Sequence, residues 1–190
     1  MFPRGINGGT IFRDQFDHKY LLALIANIAC RHHVSVHAFA LMSTHYHLIV
    51  TPPAEGALAK AMQAIGIRYT RYFNRKYGRI GTIWNERYGA TLLADERYWY
   101  TCLRYVDLNP FRAHVVRAPE DSPWSSYRVH AFGETNDWLT PHPLYLRLGP
   151  TPQIRQAAYR KICRIPLTDD DLELQRHPRV AAEIQLPPGA

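Results

Sequence analysis

Apolar residues recur at four-residue steps soon after the start of the chain. Phe16, Tyr20, Leu24 and Ile28 form one stripe, widened by Leu21 and Ile25. That spacing places them on one face of a helix and predicts one over Asp14 to His32. The period then changes. Val34 to Met42 alternates and begins with β-branched residues, which predicts a strand. Ser43-Thr44 supplies a tight turn, and His45 to Val50 predicts a second strand closed off by Pro52-Pro53, so the two pair as an antiparallel hairpin. Helical spacing returns over Gly56 to Tyr77, with Leu58, Met62, Ile65, Tyr69, Tyr72 and Phe73 as the core face and Gly78 suited to the position past its end. A turn-rich stretch leads to an expected short strand at Tyr88 to Leu93. Asp95 predicts the N-cap of a further helix and Pro110 its end. Beyond Pro119, prolines and glycines leave room only for shorter elements.

The chain has 190 residues, 46% of them hydrophobic and 21% charged. That is enough to bury a core without disulfide or metal staples, and it excludes wholesale disorder. No apolar run is long enough to span a membrane. The start, MFPRGINGGTIFRDQ, lacks the apolar core of a signal peptide. Cys30, Cys102 and Cys163 lie far apart with no C-x-x-C pair, which argues against a disulfide framework or a zinc ribbon. These features predict a reduced, cytoplasmic protein with no membrane partner and no organic cofactor.

Charge adds a functional hint. Twenty-three Lys and Arg against sixteen Asp and Glu give +7. The stretch from Thr168 onward opposes this trend, with Asp169, Asp170, Asp171, Glu173 and Glu183 against Arg176 and Arg179, and reads as an acidic, mobile tail. The excess of base therefore lies upstream, where arginine predominates and twelve Tyr and four Trp are interleaved. Guanidinium forks match phosphate oxygens and aromatic faces stack on unpaired bases. The composition suits a nucleic-acid partner, and equally a basic enzyme.

Two sets of residues carry candidate chemistry. His45 and His47 alternate in a strand, so both imidazoles project from one face and can share a metal ion. A His-x-His pair also serves as a surface pair or a hydrogen-bonded core pair. Tyr105 and Asn109 stand four apart on a helix and share a face. The tyrosine could act as a nucleophile and the asparagine could give its amide oxygen to the same metal. Tyr98, Cys102 and Tyr105 also form a packing stripe, and Asn109 also suits a helix end before proline.

Three segments, MSTHYHLIVTP, RYTRYFNRKYGRIGTIWNERY and YVDLNPFRAHVV, follow one another in an order that resembles the IS200-type single-tyrosine transposases. They are most similar to the REP-associated tyrosine transposase-like branch. PWSSY at 123–127 and LTPHPLYL at 139–146 extend the resemblance over about residues 4–150, without an evident catalytic logic of their own. The resemblance implies an α+β fold, a ferredoxin-like α/β sandwich, with a small C-terminal helical extension. It divides the chain into a transposase-like domain at 1–120 and an extension at 121–190. It implies that His45, His47 and Asn109 bind a divalent ion, Mg²⁺ or Mn²⁺, and that Tyr105 attacks a phosphodiester to form a 5′-phosphotyrosine link. A free tyrosine titrates near 10, so the cation helps to ionise it. The implied partner is single-stranded or hairpin DNA, and the implied location the nucleoid.

On this reading Arg68, Arg71, Arg75, Lys76, Arg79 and Arg87 track phosphates, and Trp84 stacks on a base or wedges a hairpin; a solvated basic face and a core tryptophan are the plainer alternatives. A homodimer is compatible, since relatives include dimers that exchange the tyrosine helix. Two departures stand out. Relatives normally begin with a further strand at the centre of the sheet, whereas here Met1-Phe2-Pro3-Arg4-Gly5 falls near that strand's end, so a short first strand is expected. The usual Pro-Asn before the histidine pair is Ser43-Thr44. A second function therefore stays open: a hairpin-DNA binder descended from such an enzyme and no longer catalytic.

Overall fold

The computed structural model describes residues 3–168 together with Asp171. The tail expected from Thr168 onward, Thr168 and Asp171 apart, lies outside the described residues. The first helix, α1 (Gln15–Arg31), begins where Asp14 accepts hydrogen bonds from the backbone N–H of Phe16 and Asp17, while the Asp17 carboxylate reaches back to the cap in a reciprocal capping box. The hairpin follows, as β1 (Ser35–Met42) and β2 (His45–Thr51), antiparallel and joined by the Ser43-Thr44 turn. Helix α2 (Ala57–Tyr77) ends at Gly78, whose φ of 63° is the left-handed conformation that glycine adopts without strain. Then come α3 (Glu96–Asp107), α4 (Asn109–Arg112), α5 (Tyr127–Phe132), α6 (Pro143–Leu146) and α7 (Pro152–Cys163).

The fold is α+β, an antiparallel sheet with helices on its faces, and helices α5 to α7 form the C-terminal extension. Isolated bridges widen the two-stranded sheet: Arg4 pairs with His45 beyond β2, and Ser125 and Leu139 pair with Ala40 and Val36 beyond β1. The two faces of the hairpin carry separate cores. Val36, Phe39, Leu41, Tyr46 and Leu48 pack with α1 and α2. Ala38, Ala40 and Ile49 pack with Trp99, Leu103 and Val106 of α3 and with Tyr127, Tyr145 and Tyr159 of the extension. A bulge between Val36 and Ala38 shifts the register, so that two alanines face α3 and let it approach closely. The core on this side thus draws residues from both sides of position 120. No helix among the described residues is long and apolar enough to cross a membrane.

Two expected elements differ. Residues 88–93 form no strand of their own, and only Gly89 among them makes a bridge. The backbone of Arg4 to Ile6 instead bonds just upstream, with Ile6 N–H donating to the Ile83 carbonyl and Asn85 N–H to that of Arg4. Pro110 does not close the helix. Helix α3 ends at Asp107, and Pro110 sits in the first turn of α4, where its missing N–H costs nothing.

Helices α1 and α2 are clamped at Asp17, which is fully buried. Its carboxylate accepts from Arg13 N–H at 2.7 Å, Tyr72 Oη at 2.9 Å, Tyr77 Oη at 2.7 Å and Lys76 Nζ at 2.7 Å. Burial pushes this carboxyl up, but Lys76, the Arg13 N–H and the two phenols outweigh it and hold Asp17 down to about 2. The folded pKa is depressed, so the stabilisation is complete above the ordinary value of 3.8 and fades as pH falls towards about 2. The loss should be about 2 kcal/mol. Denaturant unfolding at a series of acid pH values should show it, and Asp17→Asn should flatten that limb; an unchanged slope would mean that the clamp does not titrate.

Candidate active site

Two backbone devices bring the site together. The strand alternation sends His45, His47 and Ile49 to the α3 face, and Ala40, directly opposite His47 in the pairing, keeps the space beside it clear. The α3–α4 junction brings Tyr105 and Asn109 over that strand. The rings of His45 and His47 lie 4.8 Å apart, edge to face. The Tyr105 ring stands at 5.5 Å from that of His47, also edge to face, and Nδ2 of Asn109 is 3.5 Å from His47 Nε2. The structure thus brings all four of these sequence-derived candidates into one wall.

Burial sets their electrostatics. It lowers His45 to about 4, helped by the Arg4 guanidinium. It drives His47 well below its ordinary range, with His45 and Arg4 adding to the effect. Both imidazoles are therefore neutral, the form that ligates a metal. Thr44 Oγ1 engages His45 Nδ1 at 3.0 Å, leaving Nε2 as its ligating nitrogen. The Ser43-Thr44 departure from the relatives' Pro-Asn thus supplies a hydroxyl that orients the ring. No group of three or more His, Cys, Asp or Glu is gathered among the described residues. A metal here would take two imidazole nitrogens and, after rotation of the Asn109 amide, its oxygen. That donor set would suit a divalent ion and leave positions for water and phosphate oxygen. Tyr105 is half-buried, and its hydroxyl makes no hydrogen bond to a described residue.

Two neighbours were not among the sequence-derived candidates. Arg112 stands with its guanidinium carbon 5.4 Å from the centre of the Tyr105 ring. Asp107, fully buried, points away from the site and accepts from Ser126 Oγ, from His130 Nδ1 at 2.7 Å and from Tyr159 Oη at 2.6 Å. Ser126 also accepts from the Phe39 N–H of β1 at 2.9 Å, so one hydroxyl ties α3 to the hairpin. PWSSY, without evident purpose in the sequence, is the other half of this anchorage. LTPHPLYL contributes as well: His142 stacks on Trp99, and Tyr145 Oη donates to the His130 carbonyl.

The basic candidates divide. Arg68, Arg71, Arg75 and Arg87 are exposed, and Arg79 is half-buried with its guanidinium over Phe73. Lys76 bridges Asp14 at 2.8 Å and Asp17 at 2.7 Å, so its charge is matched within the protein rather than offered to phosphate. Trp84 packs against Tyr46 and Tyr69 and donates from Nε1 to the Gly66 carbonyl at 3.1 Å, which makes it a structural tryptophan rather than an exposed stacking face. The arginines of α2 lie on the layer opposite the histidine pair.

With this geometry in view, residues 7–109 match the family model described as IS200-like transposases. Among solved structures, a REP-associated tyrosine transposase bound to a REP hairpin is similar, with a TM-score of 0.56 and 17% identity. The likeness covers 74% of this chain and 84% of that one. No curated protein matches the chain.

Proposed function

The chain belongs to the IS200-like transposases, and from that membership we propose that it is a single-strand DNA endonuclease and strand transferase that acts on hairpin-forming DNA through a 5′-phosphotyrosine intermediate. The observation that carries this reading is the convergence of Tyr105 with His45, His47 and Asn109 in one wall. In the reaction the Tyr105 phenol gives up its proton to solvent, and its oxygen attacks the scissile phosphorus. The bond from phosphorus to the 3′ oxygen breaks, and that oxygen takes a proton to become a free 3′-hydroxyl. The new phosphotyrosine ester keeps the energy of the broken bond, so another 3′-hydroxyl can rejoin the strand by the reverse attack. His45, His47 and Asn109 would hold a divalent ion, Mn²⁺ or Mg²⁺, which supplies a Lewis acid for the phosphate oxygens. The similarity to a REP-associated enzyme bound to a REP hairpin supports the choice of hairpin DNA as partner.

The test is His45→Ala and His47→Ala, each assayed with Mn²⁺ or Mg²⁺ on hairpin oligonucleotides with single-stranded arms. Cleavage should fall by at least about a hundredfold while binding changes little. Cleavage at the wild-type rate in either variant would remove the metal assignment. Loss of hairpin binding alongside cleavage would make the histidines DNA contacts instead.

Arg68, Arg71 and Arg75 are proposed to hold the DNA backbone, with Arg79 and Arg87 continuing the track. Each phosphate neutralised on a single strand contributes about 0.7 to the salt slope of binding. Replacing all three of Arg68, Arg71 and Arg75 with alanine should flatten that slope by about two units. A slope equal to that of the wild type would leave this face merely solvated.

A further inference from the structure

Arg112 is an uncommitted cation beside the nucleophile. It closes α4, its backbone N–H donating to the Leu108 carbonyl at 2.9 Å. Tyr105, Asn109 and Arg112 are spaced four and three apart, so the two short helices carry them down one side despite the break at Leu108. Pro110 in the first turn of α4 lets the helix restart immediately and keeps that alignment. The guanidinium carbon sits 5.4 Å from the centre of the Tyr105 ring. Among the ion pairs of the described residues none involves Arg112. The carboxylate nearest in sequence, Asp107, is consumed on the opposite side by Ser126, His130 and Tyr159. A half-buried guanidinium with no ion-pair partner among the described residues, held against a tyrosine, is a prepared place for an anion.

We propose that Arg112 binds a non-bridging oxygen of the scissile phosphate and holds the phosphotyrosine after the attack. The inference rests on the proposed role of Tyr105 and adds a residue to it. The planar fork gives two parallel N–H donors to one phosphodiester, which fixes the phosphorus in front of the Tyr105 oxygen. Negative charge grows on the phosphate oxygens as that oxygen approaches, and a fixed cation there favours the transition state over the bound ground state. Stacking on the Tyr105 ring keeps the guanidinium in position before DNA arrives.

The experiment uses the full chain and a pool of hairpin oligonucleotides with randomised single-stranded arms, from which wild-type protein selects its substrate by covalent trapping. On that substrate, the rate of adduct formation at saturating DNA is compared for wild type, Arg112→Lys and Arg112→Ala. Arg112→Ala should lose about a hundredfold to a thousandfold in this rate and little in DNA binding. Arg112→Lys should fall between, because it keeps the charge and loses the fork. Added guanidinium ion should restore part of the Arg112→Ala rate and leave wild type unchanged, a response that mere packing against Tyr105 would not give. An equal rate for wild type and Arg112→Ala, with the adduct on Tyr105, would overturn the inference and spare the proposed function. A defect that guanidinium does not relieve would also overturn it, making Arg112 a packing residue. A wild-type protein that forms no adduct on Tyr105 would overturn both.

Discussion

Tyr105→Phe should yield a folded, DNA-binding protein that forms no covalent adduct with DNA. The substitution keeps the ring, its edge contact with His47 at 5.5 Å and the Arg112 guanidinium over its face. The hydroxyl that is lost bonds to no described residue, so stability should change by well under about 1 kcal/mol. Nucleophilic attack, by contrast, has no substitute. Other tyrosines are poor replacements for a physical reason. Tyr69 gives its hydroxyl proton to the Ile11 carbonyl, Tyr72 to Asp17 and Tyr100 to the Leu144 carbonyl. Tyr98, two turns earlier on α3, is the internal control. Trapping DNA on wild-type protein and mapping the modified peptide should find Tyr105 joined to a 5′ phosphate, with adduct formation dependent on the metal. An adduct on any other tyrosine, or one that persists in Tyr105→Phe, would sink the assignment.

The largest effect on stability should come from Asp107→Ala. Removing this carboxylate strands the His130 imidazole and the Tyr159 hydroxyl inside the core and frees Ser126 from α3. Burial, with Asp107 adding to it, holds the Tyr159 phenol well above its ordinary range, so that group cannot ionise to help itself. Each buried donor left without its acceptor costs about 1–3 kcal/mol. For a chain of this size each kcal/mol lowers the melting temperature by about 2–4 °C. Combining Asp107→Ala with Tyr159→Phe should cost less than the sum of the two, because the second change removes a group the first had orphaned. Denaturant titrations measure all three variants. A midpoint shared by Asp107→Ala and wild type would show that the network carries no stability.

Much of this architecture is legible in the sequence because it is local. The helical period of α1, the alternation of the hairpin and the Asp95 cap each depend on neighbours a few positions away, although Phe16 and Tyr20 at the head of the α1 stripe stay exposed. The candidate constellation is legible for the same reason, through a strand period that pairs His45 with His47 and a helical one that pairs Tyr105 with Asn109. What escapes is set by long-range contact. Lys76 reads as one more cation of a basic helix until α1 brings Asp14 and Asp17 to it from about sixty positions away. Trp84 reads either as a stacking face or as a core residue until Gly66 offers a carbonyl to its indole. PWSSY reads as a motif without chemistry because its meaning lies in its meeting with Asp107. The segment at 88–93 has a strand-like composition yet bridges only at Gly89, and composition does not say how far a pairing runs.

The placement of the arginines of α2 and the histidine pair on opposite sides of one thin hairpin has a metric consequence. A strand gripped by those arginines reaches Tyr105 only by rounding the rim of the sheet. The path is then as long as the protein is thick, whatever the bases along it. On the proposed roles of these arginines and of Tyr105, that path would act as a ruler, setting the number of nucleotides between the foot of a hairpin and the bond that is cut.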